Sequence, residues 1–93
     1  MTDRKQYTLE PTPLFAKQFR KLDKFVQRQV KKYMEDVVKN GADPKVKGKA
    51  LIANRTGQWR YRIGDYRVLA NIDDDKLVVL SLEVGHRKEV YQK

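Results

Sequence analysis

Hydrophobic and polar positions alternate most regularly between Trp59 and Ile72. The run is Trp59, Arg60, Tyr61, Arg62, Ile63, then Gly64-Asp65, then Tyr66, Arg67, Val68, Leu69, Ala70, Asn71 and Ile72. Period-two alternation marks a half-buried strand. Gly64 stands at the first central position, as a type II′ turn requires. The pattern predicts a β-hairpin in which Ile63 faces Tyr66, Arg62 faces Arg67, Tyr61 faces Val68 and Arg60 faces Leu69. One face then carries Trp59, Tyr61, Ile63, Tyr66, Val68, Ala70 and Ile72, and the other carries Arg60, Arg62 and Arg67. Like charges facing each other across a hairpin cost stability, so three arginines on one small patch predict an anion held there.

The N-terminal half follows a different period. Tyr7–Glu10 reads as a short strand stopped by Pro11. Thr12-Pro13 predicts an N-cap followed by proline at the first helical position. Phe15, Phe19 and Leu22 then recur at helical spacing. Asp23 predicts a second cap, ahead of the buried stripe Val26, Val30, Tyr33, Met34 and Val37, and Asn40-Gly41 predicts the helix stop. Residues 41–58 look irregular: Asp43-Pro44 initiates a turn, Gly48 and Gly57 interrupt any regular element, and Leu51 and Ile52 pin the loop to the core.

Beyond the hairpin, Asp73–Asp75 predicts a turn and Leu77–Val84 a last strand that Gly85 ends. A three-residue loop pairs Ile72 with Lys76. It sends Val78, Leu80, Leu82 and Val84 to the core and sets Ser81 opposite Arg67, with Glu83 on the diagonal. A two-residue loop reverses these faces. The whole chain, 1–93, reads as a single α+β domain: an N-terminal strand, two helices, then an antiparallel sheet of three further strands, with the helices packed on one face.

Composition narrows the function. The 93 residues include 21 Lys and Arg against 12 Asp and Glu, a net charge of +9. Such a field favours nucleic acid, an anionic membrane surface or an acidic protein partner. From Lys45 to Arg67 the basic residues are Lys45, Lys47, Lys49, Arg55, Arg60, Arg62 and Arg67, against Asp65 alone. There is no cysteine and one histidine, so thiolate and zinc sites are not expected. The opening Asp3, Arg4 and Lys5 do not suit a signal peptide, and no apolar run approaches the ~20 residues of a membrane span. A soluble cytoplasmic protein is the expectation.

For chemistry, Arg60, Arg62, Arg67, Arg87, His86 and Tyr91 form the polar set assigned to the open face of the sheet. Preorganised cations stabilise the charge that builds up on phosphorus oxygens during phosphodiester cleavage. His86 is the side chain suited to proton transfer near neutral pH, and Tyr91 suits base stacking. No carboxylate cluster invites magnesium. Plainer roles stand beside these: helical lysines as a solvated outer surface, Arg67 paired with Glu83, and His86 and Tyr91 as packing residues.

The runs Gly57–Val68 and Val84–Tyr91, with Lys21–Lys24 and Asp43-Pro44 upstream, resemble the RelE/ParE toxin superfamily, and RelE in particular. The similarity extends from about Tyr7 to Tyr91. It implies a toxin of a type II toxin–antitoxin pair that enters the ribosomal A site and cuts mRNA there. In that family the ribose 2′-hydroxyl attacks, no metal or other cofactor takes part, and a 2′,3′-cyclic phosphate remains. Carried over by position, Arg67 resembles the arginine on the scissile phosphate, Arg87 the second catalytic arginine, and Tyr91 the C-terminal tyrosine that orients substrate. Arg60 and Arg62 fall where well-known members carry lysines. Arginine is effectively never deprotonated, so these two are expected to bind RNA rather than act as a base, together with Lys45, Lys47, Lys49 and Arg55. His86 becomes the expected acid or base. The implied partners are ribosomal RNA, mRNA and an acidic antitoxin segment that wraps the basic surface, with no membrane. The alternative is a ParE-like inhibitor of DNA gyrase without nuclease activity.

Overall fold

Thr12 and Asp23 start the helices as their positions require. The Thr12 hydroxyl accepts a hydrogen bond from the Phe15 N–H at 3.0 Å, and Pro13 opens α1, Pro13–Arg20. The Asp23 carboxylate accepts from the Val26 N–H at 3.0 Å and opens α2, Lys24–Val38. Val26, Val30, Met34 and Val37 of α2 are buried, with Tyr33 half-buried beside them. The helix ends at Val38, Lys39 is extended, and Asn40 and Gly41 then turn left-handed, at φ 55° and 74°, conformations that these two residue types tolerate best. The Gln27 amide joins the helices by donating to the Phe19 and Leu22 carbonyls, each at 3.0 Å.

A computed structural model describes residues 6–88. Its strands are β1 (Thr8–Pro11), β2 (Lys49–Ala50), β3 (Gln58–Ile63), β4 (Tyr66–Asp73) and β5 (Val78–His86). They form a five-stranded mixed sheet in the order β1-β5-β4-β3-β2, with β1 parallel to β5 and the other pairs antiparallel. Both helices lie on one face. The core there joins the α2 stripe to Tyr61, Ile63, Val68, Ala70, Val79 and Val84, with Phe15 and Phe19 of α1 packed against it. Among the described residues, no helix is long and apolar enough to cross a membrane.

The β3–β4 hairpin has the expected register throughout, from Arg60↔Leu69 to Ile63↔Tyr66. Gly64 takes φ 60° in its turn, the positive φ that a II′ turn needs at that position. Three expectations are corrected. Ile52, expected to help pin the loop to the core, is exposed. Lys49-Ala50, read as irregular, pairs with Arg60 and Trp59 as an edge strand. The β4–β5 register also differs. The Asp73 carboxylate accepts from the Asp75 and Lys76 N–H groups, both at 3.0 Å, and Leu77 takes φ 56°. Asp73 therefore pairs with Val78, not Ile72 with Lys76. Val79 and Ser81 turn toward the core instead of Val78 and Leu80, and Ser81 faces Ala70 rather than Arg67. A bulge at Leu82 then reverses the alternation, so Val84 returns to the core as expected while Arg67 faces Gly85.

Tyr61 ties the irregular segment to the sheet. Its ring is fully buried, and its hydroxyl donates to the Pro44 carbonyl at 2.6 Å. Gly48 lies against that ring: a Cβ there would come within 2.9 Å of Tyr61 Cε1 and 3.3 Å of Trp59 Cε3. Gly48→Ala is expected to destabilise the fold by roughly 1–3 kcal/mol through overpacking, read as a lower urea midpoint with an unchanged slope.

The Tyr7 hydroxyl donates to the Asp74 carboxylate at 2.5 Å. That bond, and then burial, push its pKa up from 10.0 to about 12. Burial raises the Tyr61 hydroxyl as well. In the folded protein Tyr7 and Tyr61 thus keep protons that the unfolded chain gives up near pH 10. Their contribution is complete below pH 10 and is lost as pH rises toward 12. Urea titrations across that window are expected to show falling stability, with a shallower fall for Tyr7→Phe.

Candidate functional site

The face of the sheet away from the helices is built from rungs. One runs Lys49, Arg60, Leu69, Glu83 across β2, β3, β4 and β5; the next runs Arg62, Arg67, Gly85. Strand alternation alone sets these side chains on one side. Leu69 has no exposure, although it stands outside the helix-covered core. Its rung neighbours Arg60 and Glu83 have long side chains whose stems suit covering an apolar residue.

Arg67 is only 7% exposed. Its Nη1 donates to the Tyr66 carbonyl at 3.1 Å and the Gly64 carbonyl at 3.4 Å. The hairpin turn therefore holds this guanidinium at the tip of the sheet, opposite the exposed Arg62. Its β5 neighbour is glycine, so no β5 side chain rises beside it. In the other rung, Arg60 Nε is buried without an acceptor among the described residues. An unmet buried N–H costs about 1–3 kcal/mol. Arg55 reaches the same face: its Nη1 is 3.9 Å from the Glu83 carboxylate and 3.3 Å from Gln58 Oε1. Glu83 faces Leu69 and is engaged by Arg55, and it keeps the expected diagonal position to Arg67, whose direct partner is Gly85 and not Ser81.

The remaining expected residues divide. The Arg87 N–H donates to the Asp65 carbonyl at 2.7 Å, which brings the exposed Arg87 to the hairpin tip. His86 pairs with Tyr66, which lies on the helix side of the sheet, and its ring meets Tyr66 edge to face at 5.5 Å. It does not join the arginines on their face, in contrast to the expectation. Its Nδ1 accepts from the Lys88 N–H at 3.1 Å, which leaves the ring proton on Nε2. Tyr91 lies outside the described residues. Lys45 bonds Asp74 at 3.1 Å, beyond the far end of β4 and roughly 23 Å of strand from Arg67. Lys47 stands over the Tyr33 ring, 5.4 Å from its centroid, beside α2. Of the four loop cations, Lys49 and Arg55 join the arginine face and Lys45 and Lys47 do not.

Two further features join the site. The Arg55–Glu83 pair leaves no trace in the spacing because Arg55 belongs to the irregular segment before β3, whose path no strand alternation fixes. Phe25 falls outside the apolar stripe of α2, yet it borders a cleft with Arg62; an aromatic residue among Lys24, Arg28 and Lys32 was the available signal.

The chemistry of the arginine face is anion recognition: planar donor forks, one of them nearly buried, suit phosphate oxygens. Residues 9–91 match the model of the ParE toxin family of type II toxin–antitoxin systems, parDE. The fold is similar to a chain of the toxin–antitoxin complex RelBE2 from Mycobacterium tuberculosis, with TM-score 0.80 and 30% identity over 88% of this chain and 99% of that one. It is also similar to the isolated E. coli RelE toxin, with TM-score 0.72 and 28% identity over 91% of this chain and 90% of that one. Toxin RelG of M. tuberculosis is 39% identical over 46 residues, 50% of this chain and 53% of RelG, so that match spans about half the relative's length. With the α+β architecture and the cationic face in register, the chain belongs to the RelE/ParE superfamily, as a RelE-like toxin of a type II toxin–antitoxin system.

Proposed function

We propose that this toxin is a ribosome-dependent endoribonuclease that cuts mRNA in the A site and so stops translation. The observation that carries the reading is the cationic face: Lys49, Arg60, Arg62 and Arg67 in adjacent rungs, with Arg87 at the tip. In the proposed reaction the ribose 2′-oxygen bonds to phosphorus and the P–O5′ bond breaks. The 2′-hydroxyl gives up its proton to solvent water, the 5′-oxygen gains one, and a 2′,3′-cyclic phosphate remains. Arg67 and Arg87 hold the scissile phosphate and stabilise the charge on its oxygens. Arg60, Arg62, Lys49 and Arg55 bind the flanking backbone. None of these arginines serves as the base.

His86 is the proposed donor to the departing 5′-oxygen through Nε2; in that role the ring is the imidazolium, with Nδ1 exchanging its bond from the Lys88 N–H for a proton, and it acts from around the end of β5 rather than from the arginine face. Tyr91 is assigned to orienting the substrate by the family resemblance alone. In the proposed reaction no metal takes part, as the family resemblance implies. The toxin works in the cytoplasm, where ribosomes are, and its Lys45 and Lys47 add to the ribosomal RNA contact. A cognate antitoxin neutralises it by laying an acidic segment over the basic surface, a partner suggested by the RelBE2 complex.

A second reading has one specific observation behind it: the matching family model is that of ParE toxins. On that reading the same face binds DNA gyrase and cuts nothing. Mapping mRNA 5′ ends after induced expression separates the two. Cuts phased within codons support the nuclease; DNA damage with intact mRNA supports the gyrase inhibitor. On isolated ribosomes, Arg67→Ala is expected to lower cleavage about 100-fold or more without unfolding the domain. His86→Gln is expected to cost about 100-fold in the cleavage step with mRNA binding retained. A loss below threefold would move the proton transfer to another group.

A further inference from the structure

Phe25 is 62% exposed on α2. Its helical neighbours at i+3, i+4 and i+7 are Arg28, Gln29 and Lys32, so no apolar stripe continues from it. It borders a cleft of about 550 Å³ between α2 and the end of β3, lined also by Arg28, Lys32, Tyr33, Asp36 and Arg62. The Tyr33 ring is already engaged, with Lys47 over it and the Tyr61 ring 6.4 Å away edge-on. Lys32 pairs with Asp36 at 3.5 Å. Phe25, Arg28 and Arg62 are thus the aromatic and the two cations that the cleft offers to a ligand.

We propose that this cleft binds one unstacked nucleotide of single-stranded RNA, its base on Phe25 and its phosphates on Arg28 and Arg62. Such nucleotides are recognised by an aromatic platform flanked by cations. Arg62 supplies the continuity: in register it stands opposite Arg67 on the arginine face, and it also lines the cleft. A strand with its phosphate at Arg67 passes Arg62 at the sheet edge and reaches Phe25 next. The cleft is therefore a subsite for a nucleotide flanking the one held at Arg67. This inference rests on the reading that the chain meets RNA, and not on cleavage.

The test is fluorescence anisotropy of a labelled decauridylate with the purified full chain. Phe25→Ala is expected to weaken binding about 5- to 100-fold, and Phe25→Tyr, which keeps a ring face, to restore it. Phe25→Ala is expected to leave the salt slope unchanged, because stacking releases no counterions. Arg28→Ala is expected to reduce that slope by about 0.7. Wild-type binding that Phe25→Ala leaves within twofold overturns the subsite. Equal displacement of the RNA by a decaglutamate peptide, itself dependent on Phe25, overturns it too and makes the cleft an acidic-peptide groove. Phe25-dependent RNA binding by a protein that leaves ribosome-bound mRNA uncut keeps the subsite and sinks the nuclease reading.

Discussion

The pairing of Tyr61 with Val68 at the centre of the hairpin decides both faces of the sheet at once. Both residues are fully buried. Because strand side chains alternate, burying this pair against α2 obliges the flanking Arg60, Arg62, Arg67 and Leu69 to face the other way. A slip of one residue would drive three guanidiniums into the core, at a cost of several kcal/mol for each desolvated charge. The hydrophobic register and the cationic face are therefore one property. Tyr61 extends the constraint beyond the hairpin: its bond to the Pro44 carbonyl and its contact with Gly48 fasten the segment that carries Lys49 to the edge of the sheet.

That coupling explains what could be read from the chain. The hairpin was legible because its two periods are unambiguous: aromatic and aliphatic residues on one side, arginines on the other. The helix starts at Thr12 and Asp23 were legible because each cap is a local bond between neighbours three residues apart. β5 was not. Val78, Val79, Leu80 and Leu82 are apolar on both parities, so hydrophobicity does not say which set is inside. The choice fell to the Asp73 turn and to a bulge at Leu82, neither of which leaves a periodic trace. The error was confined to the first half of the strand, because the bulge reverses the alternation before Val84.

The candidate site shows the same division. Arg60, Arg62 and Arg67 were placed correctly because they sit on the legible hairpin. His86 was misplaced relative to them because the strand was expected to end at Gly85; β5 runs on to His86, and alternation sets that side chain against Tyr66 on the helix side. Lys45 and Lys47, grouped with the arginines by their nearness in sequence, were separated by individual contacts with Asp74 and Tyr33. A charge run along a loop records how many cations are available, not which surface receives them.

The arginine face also carries an energetic argument that is independent of any relative. Arg62 faces Arg67 across the hairpin, and Arg60 beside them has a buried Nε with no acceptor among the described residues. Like charges in register and an unmet buried donor both oppose folding. The fold nevertheless holds the Arg67 guanidinium in place through two backbone carbonyls of the turn. Those acceptors fix where the guanidinium stands, at the hairpin tip opposite Arg62. A bound phosphate reverses the sign of the Arg62–Arg67 interaction, from repulsion between neighbours to attraction through a shared anion. The ligand-free hairpin is thereby built at some cost to its own stability, and the binding of an anion relieves that cost at the position where the proposed chemistry requires the charge.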